Sequence, residues 1–229
     1  MLLKCFVKMD EDLKKNILKT GTSLVGIVCK DGVVMAGDRK VTAGGQITMD
    51  KNFQKVVQLN EYTAISWTGG VADALLLTKL AKAELRLKEL RDKKRPTVKE
   101  VANLIGMIAY RSIRQPSMIP FIAGTMVGGF NEDGSTELYT IEPAGGVKKV
   151  EDFDANYSSG MPYILGLLER QYKKDLTVGE CVNLAIEAIK ASSERDTASG
   201  FGVDVFTITK EGIKQVAKQK ARAVYTEQE

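Results

Sequence analysis

Glycine precedes threonine at Gly21-Thr22, just ahead of an apolar run, in a chain of 229 residues that contains no histidine. Without imidazole there can be no Ser-His-Asp triad, no Cys-His pair and no His-ligated zinc. A hydroxyl nucleophile still needs a base. A threonine freed at a new N-terminus carries its own, because an α-amine titrates at about 7.7–8.0 in model compounds. Cutting after Gly21 would make such a residue of Thr22. Asp38 and Lys55 could support it: a lysine near a threonine hydroxyl and amine favours their deprotonated forms, and a nearby aspartate keeps the lysine charged. The Gly69-Gly70 turn offers backbone N–H groups free of bulky side chains, as an oxyanion hole requires.

These residues must be brought together by the elements around them. Ser23 to Lys30 reads as a strand, Asp31-Gly32 as a two-residue hairpin signal and Val33 to Asp38 as the returning strand. Folding that hairpin returns the Asp38 carboxylate to the Thr22 end. Further strands are expected at Val41 to Thr48 (interrupted at Gly44-Gly45), Lys55 to Leu59 and Tyr62 to Thr68. A helix follows from Val71 to about Arg91, with an apolar stripe at Leu76, Leu80, Ala83, Leu87 and Leu90. Thr97 with Glu100 forms a capping box that opens a second helix, reaching about Arg114. Strands return at Phe121 to Phe130 and Glu137 to Ile141. Helices are expected from Tyr163 to Tyr172 and, behind a capping box of Thr177 with Glu180, to Arg195; a hairpin of Phe201 to Thr209 with Ile213 to Ala217 ends the pattern. Hairpins imply mostly antiparallel sheets, which the helices must cover. The expected fold is α+β, a four-layer α-β-β-α sandwich in one domain of residues 22–229. Residues 1–21 differ in texture and read as a tail, an edge element or a removable leader.

Composition is that of an ordinary globular protein, with 44% hydrophobic and 27% charged residues. The net charge of +4 is mild. The basic clusters at Arg91 to Arg95 and Lys218 to Arg222 lack interleaved aromatics and read as solvated surface, not a nucleic-acid site. Three cysteines, Cys5, Cys29 and Cys181, with no Cys-x-x-Cys, fit a reducing compartment. No apolar stretch is long enough for a membrane span, and the N-terminus lacks a secretory pattern. A cytoplasmic location is expected. Taken singly, the site residues have plainer readings: Gly-Thr is a common dipeptide, Asp38-Arg39 could be a surface turn, Lys55 a solvated side chain and Gly69-Gly70 a helix start.

Together, four segments resemble the successive signatures of archaeal-type proteasome β-subunits. They are Gly21-Thr-Ser-Leu-Val-Gly-Ile, Val34-Met-Ala-Gly-Asp-Arg-Lys-Val-Thr-Ala-Gly-Gly, Thr68-Gly-Gly-Val-Ala-Asp and Arg195-Asp-Thr-Ala-Ser-Gly200. The resemblance runs from Gly21 to about residue 215. It implies an N-terminal-nucleophile hydrolase fold and a threonine endopeptidase needing no metal or organic cofactor. It implies self-cleavage at Gly21–Thr22, with Thr22 as nucleophile, Asp38 and Lys55 as its charged partners and Gly69 at the oxyanion. It further implies that Ser159 lies near the threonine amine, supported by Asp196 and Ser199. Lys55 is assigned from its context, Gln-Lys-Val-Val, with Lys51 and Lys40 as competitors. Thr42, Trp67, Gly69 and Val71 are implied in substrate binding; Trp67 reads equally as a core residue. Where relatives start Thr-Thr-Thr, this chain has Thr22-Ser23-Leu24.

The implied partners are proteasome α-subunits and other β-subunits in stacked seven-membered rings, a regulatory ATPase and unfolded protein substrates. Two alternatives stand beside this reading. One is a non-catalytic structural β-subunit, which would have lost Thr22, Asp38 or the lysine. The other is a related self-processing hydrolase, either a bacterial-type two-ring threonine protease or an amidase acting on small molecules.

Overall fold

The computed structural model describes residues 21–117 and 119–221. Of the expected leader only Gly21 falls inside that range; the rest of it, and Cys5, lie outside the described residues. The opening hairpin pairs β1 (Leu24–Cys29) with β2 (Gly32–Asp38), Cys29 opposite Gly32. Its two-residue loop is therefore Lys30-Asp31, one position earlier than expected, and Gly32 opens the return strand. The glycines at Gly44-Gly45 separate two short strands, β3 (Val41–Ala43) and β4 (Ile47–Asp50), which form a ribbon of their own.

Next come β5 (Val56–Gln58), β6 (Thr63–Gly69), α1 (Val71–Asp92) and α2 (Val98–Ile113). They are followed by β7 (Ala123–Phe130), β8 (Thr136–Ile141), β9 (Val147–Val150) and β10 (Phe153–Asp154). The chain then runs through α3 (Met161–Gln171), α4 (Val178–Ser193), β11 (Gly202–Thr209) and β12 (Gly212–Lys220). One five-stranded sheet has the order β10-β1-β2-β11-β12 and the other β5-β6-β7-β8-β9, with every pairing in both antiparallel.

Three apolar layers hold the sandwich together. β2 is buried along its whole length. Its residues alternate: Val33 and Met35 point between the sheets, Val34 and Ala36 toward α3 and α4. A strand covered on both faces must be apolar throughout, which explains the unbroken Gly-Val-Val-Met-Ala-Gly run. The inter-sheet layer is closed by Leu24, Val56, Met126, Leu138, Phe206 and Ile208. The third layer joins α1 and α2 to the other sheet through Leu77, Leu85, Ile105, Val127 and Ile141. Each such side chain contributes about 1.5–3 kcal/mol by leaving water.

Both capping boxes form. Glu100 N–H donates to Thr97 Oγ1 at 3.2 Å while Thr97 N–H donates to the Glu100 carboxylate at 2.8 Å. Thr177 and Glu180 repeat the arrangement at the start of α4. Such a cap is worth about 1 kcal/mol.

The apolar stripe expected to seat α1 faces outward instead. Leu76, Leu80, Leu87 and Leu90 are 54%, 43%, 60% and 59% exposed. The helix buries Ala74, Leu77, Thr78, Ala81 and Leu85. Ala74, Thr78 and Ala81 let the helix lie close to its sheet, Leu77 and Leu85 complete the seat, and the leucines of the expected stripe are left outside. Periodicity finds a stripe but does not say which of two is inward. Two short strands, β9 and β10, were not expected from the sequence. Lys148 and Lys149 interrupt β9, and β10 has only two residues.

Truncating Leu138, which is fully buried between the sheets, tests the sandwich. Leu138→Ala should lower unfolding free energy by roughly 2–5 kcal/mol, read from the urea midpoint of the isolated subunit. A shift below about 0.5 kcal/mol, the range of ordinary surface substitutions, would mean the sheets do not pack there.

Candidate active site

Thr22 lies just before β1, and Asp38 closes β2 beside it, its N–H donating to Ser23 O at 3.0 Å. Lys55 comes from the other sheet, immediately before β5. The three residues are almost wholly buried. Lys55 Nζ donates to Asp38 Oδ1 at 2.6 Å, so this ion pair bridges the two sheets. The carboxylate is fully occupied. Oδ1 also accepts the Ser23 N–H at 2.9 Å, and Oδ2 accepts the N–H groups of Lys40 and Gly200, each at 3.0 Å. The chain is continuous through Gly21–Thr22. The Gly21 carbonyl oxygen accepts the Thr22 hydroxyl at 2.6 Å, and Lys55 Nζ lies 3.5 Å from it, at the limit of a hydrogen bond.

Burial holds the Lys55 amine below the ordinary lysine value of 10.5, opposed by the adjacent Asp38 and, at longer range, by Asp196. The two competing lysines point elsewhere. Lys40 Nζ donates to Thr197 O, and Lys51 Nζ sits 5.2 Å from the centre of the Phe201 ring.

A second group of polar side chains stands on the other side of Thr22. Ser159, in the loop before α3, accepts the Thr22 N–H at 3.0 Å. Its single proton goes to Asp196 Oδ2 at 2.6 Å, the Thr22 carbonyl at 3.0 Å being the longer alternative. Ser199 donates to the same Asp196 oxygen at 2.5 Å. Asp196 Oδ1 takes the Ala198 N–H at 3.1 Å. Asp196 and Ser199 belong to the segment between α4 and β11. That segment is tied to the end of β2 because Arg39 N–H donates to Gly200 O at 3.1 Å, while the buried Arg39 guanidinium pairs with Asp204 of β11. Ser23 donates to Ser199 at 2.7 Å, a contact the sequence did not suggest, since Ser23 reads only as a mild substitution.

Thr22 also lines a small pocket of about 10 Å³ with Gly21, Val41, Thr42, Lys55, Trp67, Gly69 and Val71. That is room for roughly one water. Trp67 is 2% exposed and meets Phe53 edge to face, with ring centres 5.2 Å apart. It is therefore a packed residue that also forms a wall of this pocket. Among the described residues its indole N–H and the Thr42 hydroxyl have no hydrogen-bond partner. Gly69 has φ +109°, and a Cβ there would come 2.3 Å from the Ile122 carbonyl oxygen. Only glycine fits. Val71 is the first residue of α1, so the positive end of that helix borders the pocket.

An α-β-β-α sandwich with a threonine between a buried lysine–aspartate pair and a serine–aspartate pair has the architecture of the N-terminal-nucleophile hydrolases. Residues 18–208 match the family model described as Proteasome subunit. The chain is 37% identical over 204 residues to Proteasome subunit beta 2 of Pyrococcus abyssi, covering 89% of this chain and 94% of that protein. It is 39% identical over 207 residues to Proteasome subunit beta of Methanothermobacter thermautotrophicus (90% and 94% covered). Proteasome subunit beta of Thermoplasma acidophilum is 40% identical over 200 residues (87% and 90% covered). The chain belongs to the proteasome-subunit family and is of the β type.

Removing the counter-charge of Lys55 should expose its burial. In Asp38→Asn the lysine titrates further below 10.5. Between its folded value and 10.5 the unfolded chain then binds more protons than the folded one, so stability rises with pH. The variant should be less stable than wild type by about 3–5 kcal/mol at neutral pH. It should recover as pH is raised toward 10.5, by at most about 1.4 kcal/mol per pH unit. Urea midpoints of both proteins across the alkaline range measure this, and a difference that stays constant with pH would refute it.

Proposed function

We propose that this protein is a catalytic proteasome β-subunit, a threonine endopeptidase made active by cleavage of its own Gly21–Thr22 bond. The observation that carries this reading is Thr22 itself, held between Lys55–Asp38 and Ser159–Asp196, with no member of either pair lost. A non-catalytic subunit has no need of a buried lysine beside a threonine hydroxyl. The relatives named above favour the proteasome type over the bacterial two-ring type.

Before cleavage the Thr22 nitrogen is an amide and has no basicity. The base for the first cut is Lys55 once it has released its own proton to solvent, a loss that burial eases and the pairing with Asp38 opposes; it takes the hydroxyl proton and passes it to the departing nitrogen. Thr22 Oγ1 attacks the Gly21 carbonyl carbon, the C–N bond breaks as the nitrogen takes a proton, and an ester joins Gly21 to Thr22 Oγ1. Water hydrolyses the ester, leaving a carboxylate on Gly21 and a free amine on Thr22.

In peptide cleavage that amine, adjacent to Lys55 and Ser159, accepts the hydroxyl proton directly or through a water. Thr22 Oγ1 attacks the substrate carbonyl. Gly69 N–H, with the N-terminus of α1 behind it, stabilises the oxyanion. The amine then protonates the leaving group, and water resolves the acyl-enzyme. The unpaired Thr42 hydroxyl is a ready partner for the substrate backbone. By this reading residues 22–229 are the mature peptidase domain, working in the cytoplasm in rings with α-subunits and other β-subunits, on unfolded protein fed by a regulatory ATPase.

Two outcomes test it. After co-expression with an α-subunit, intact mass should show loss of residues 1–21. Thr22→Ala should keep them and lose peptidase activity by roughly 10³-fold or more; a full-length wild-type chain with full activity would refute the mechanism. Because Trp67 fills the pocket, the enzyme should prefer small residues before the cut. Trp67→Ala should raise kcat/KM for a large residue there, relative to alanine, by about tenfold. An unchanged preference among fluorogenic peptides would remove Trp67 from substrate selection.

A further inference from the structure

Ser192, in the last turn of α4, is fully buried and its hydroxyl lies 2.6 Å from that of Ser23. Ser23 lies 2.7 Å from Ser199, which lies 2.5 Å from Asp196 Oδ2. A carboxylate only accepts, and each serine has one proton. The Ser199 proton goes to Asp196, the Ser23 proton to Ser199 and the Ser192 proton to Ser23. The alternative acceptor for Ser192, the Gly160 carbonyl, is 3.4 Å away. The chain has one direction, and it ends on the carboxylate that orients Ser159 against Thr22. Gly160 makes room for it. A Cβ there would lie 2.1 Å from both the Ser23 and the Ser192 hydroxyls. Gly160 also donates its N–H to Thr22 O at 3.1 Å.

We propose that Ser192 and Ser23 are positioning residues of the active site, acting through Ser199 to hold Asp196 and Ser159 in line with Thr22. This rests on the threonine-peptidase reading. Neither residue touches the pocket beside Thr22, so their loss should leave substrate binding intact and slow the chemical steps. Hydrogen bonds aligned in series strengthen one another, so breaking any link should disturb the whole run.

The test is a double-mutant cycle on the assembled, processed enzyme. Ser192→Ala and Ser23→Ala should each lower kcat about fivefold, the worth of one ordinary hydrogen bond, with KM within about twofold of wild type. Their double variant should be no slower than the slower single one, because both cut the same chain. Ser193→Ala is the control. Its hydroxyl donates to Ile189 O at 2.8 Å within the same helix and lies outside the chain, so kcat should not change. Ser23→Ala leaves α4 untouched and carries the test even if Ser192→Ala weakens that helix. Unchanged kcat in both single variants, losses that multiply in the double variant, or a rise in KM in place of a fall in kcat would each overturn the inference while leaving the peptidase reading intact. A wild-type enzyme without peptidase activity would overturn both.

Discussion

The structure turns on one buried carboxylate. Asp38 could not be ionised away from water unless its oxygens were satisfied, and all of its partners are found within the fold: Lys55, and the N–H groups of Ser23, Lys40 and Gly200. Those partners come from β1's entry, β2's exit, the facing sheet and the segment before β11. A single side chain therefore fixes four pieces of backbone around Thr22. The cost of desolvating two charges is offset only in such a fully bonded setting. That requirement also explains why the hairpin and the approach to β11 are so closely joined.

Thr22 consequently sits between two environments of different character. On one side a buried lysine is paired with Asp38, and burial holds its amine below the ordinary lysine value. On the other, hydroxyls and a carboxylate form a run of short hydrogen bonds with a defined direction. The first environment sets a charged pair beside Thr22; the second holds its nitrogen in place.

Much of the fold was legible because its signals are local. The Thr97–Glu100 and Thr177–Glu180 boxes, the loop near Asp31 and the breaks at glycine each depend on residues a few positions apart. Thr22, Asp38 and Lys55 could be grouped because one hairpin and the start of a later strand carry them. Assigning Ser159, Asp196 and Ser199 needed the family resemblance, since nothing in their spacing alone brings them to Thr22. The readings that failed, or were never made, depend on information that sequence separation hides. Which face of α1 is inward is decided by how closely Ala74 and Ala81 approach the sheet. Ser23 and Ser192 are ordinary serines until 169 residues of chain fold to bring their hydroxyls together. β9 and β10 are held by their neighbours' ladders, not by any pattern of their own.

Gly200 capping Asp38 has a consequence for the order of events in synthesis. The ribosome delivers Thr22 well before Gly200. Until the latter emerges, Asp38 lacks one of its donors, and Ser159 lacks the Asp196 that aims it. Whatever Thr22 can do must therefore wait for the segment that carries Asp196 and Gly200. A chain broken off midway carries Thr22 but not the donors and the carboxylate that surround it in the fold.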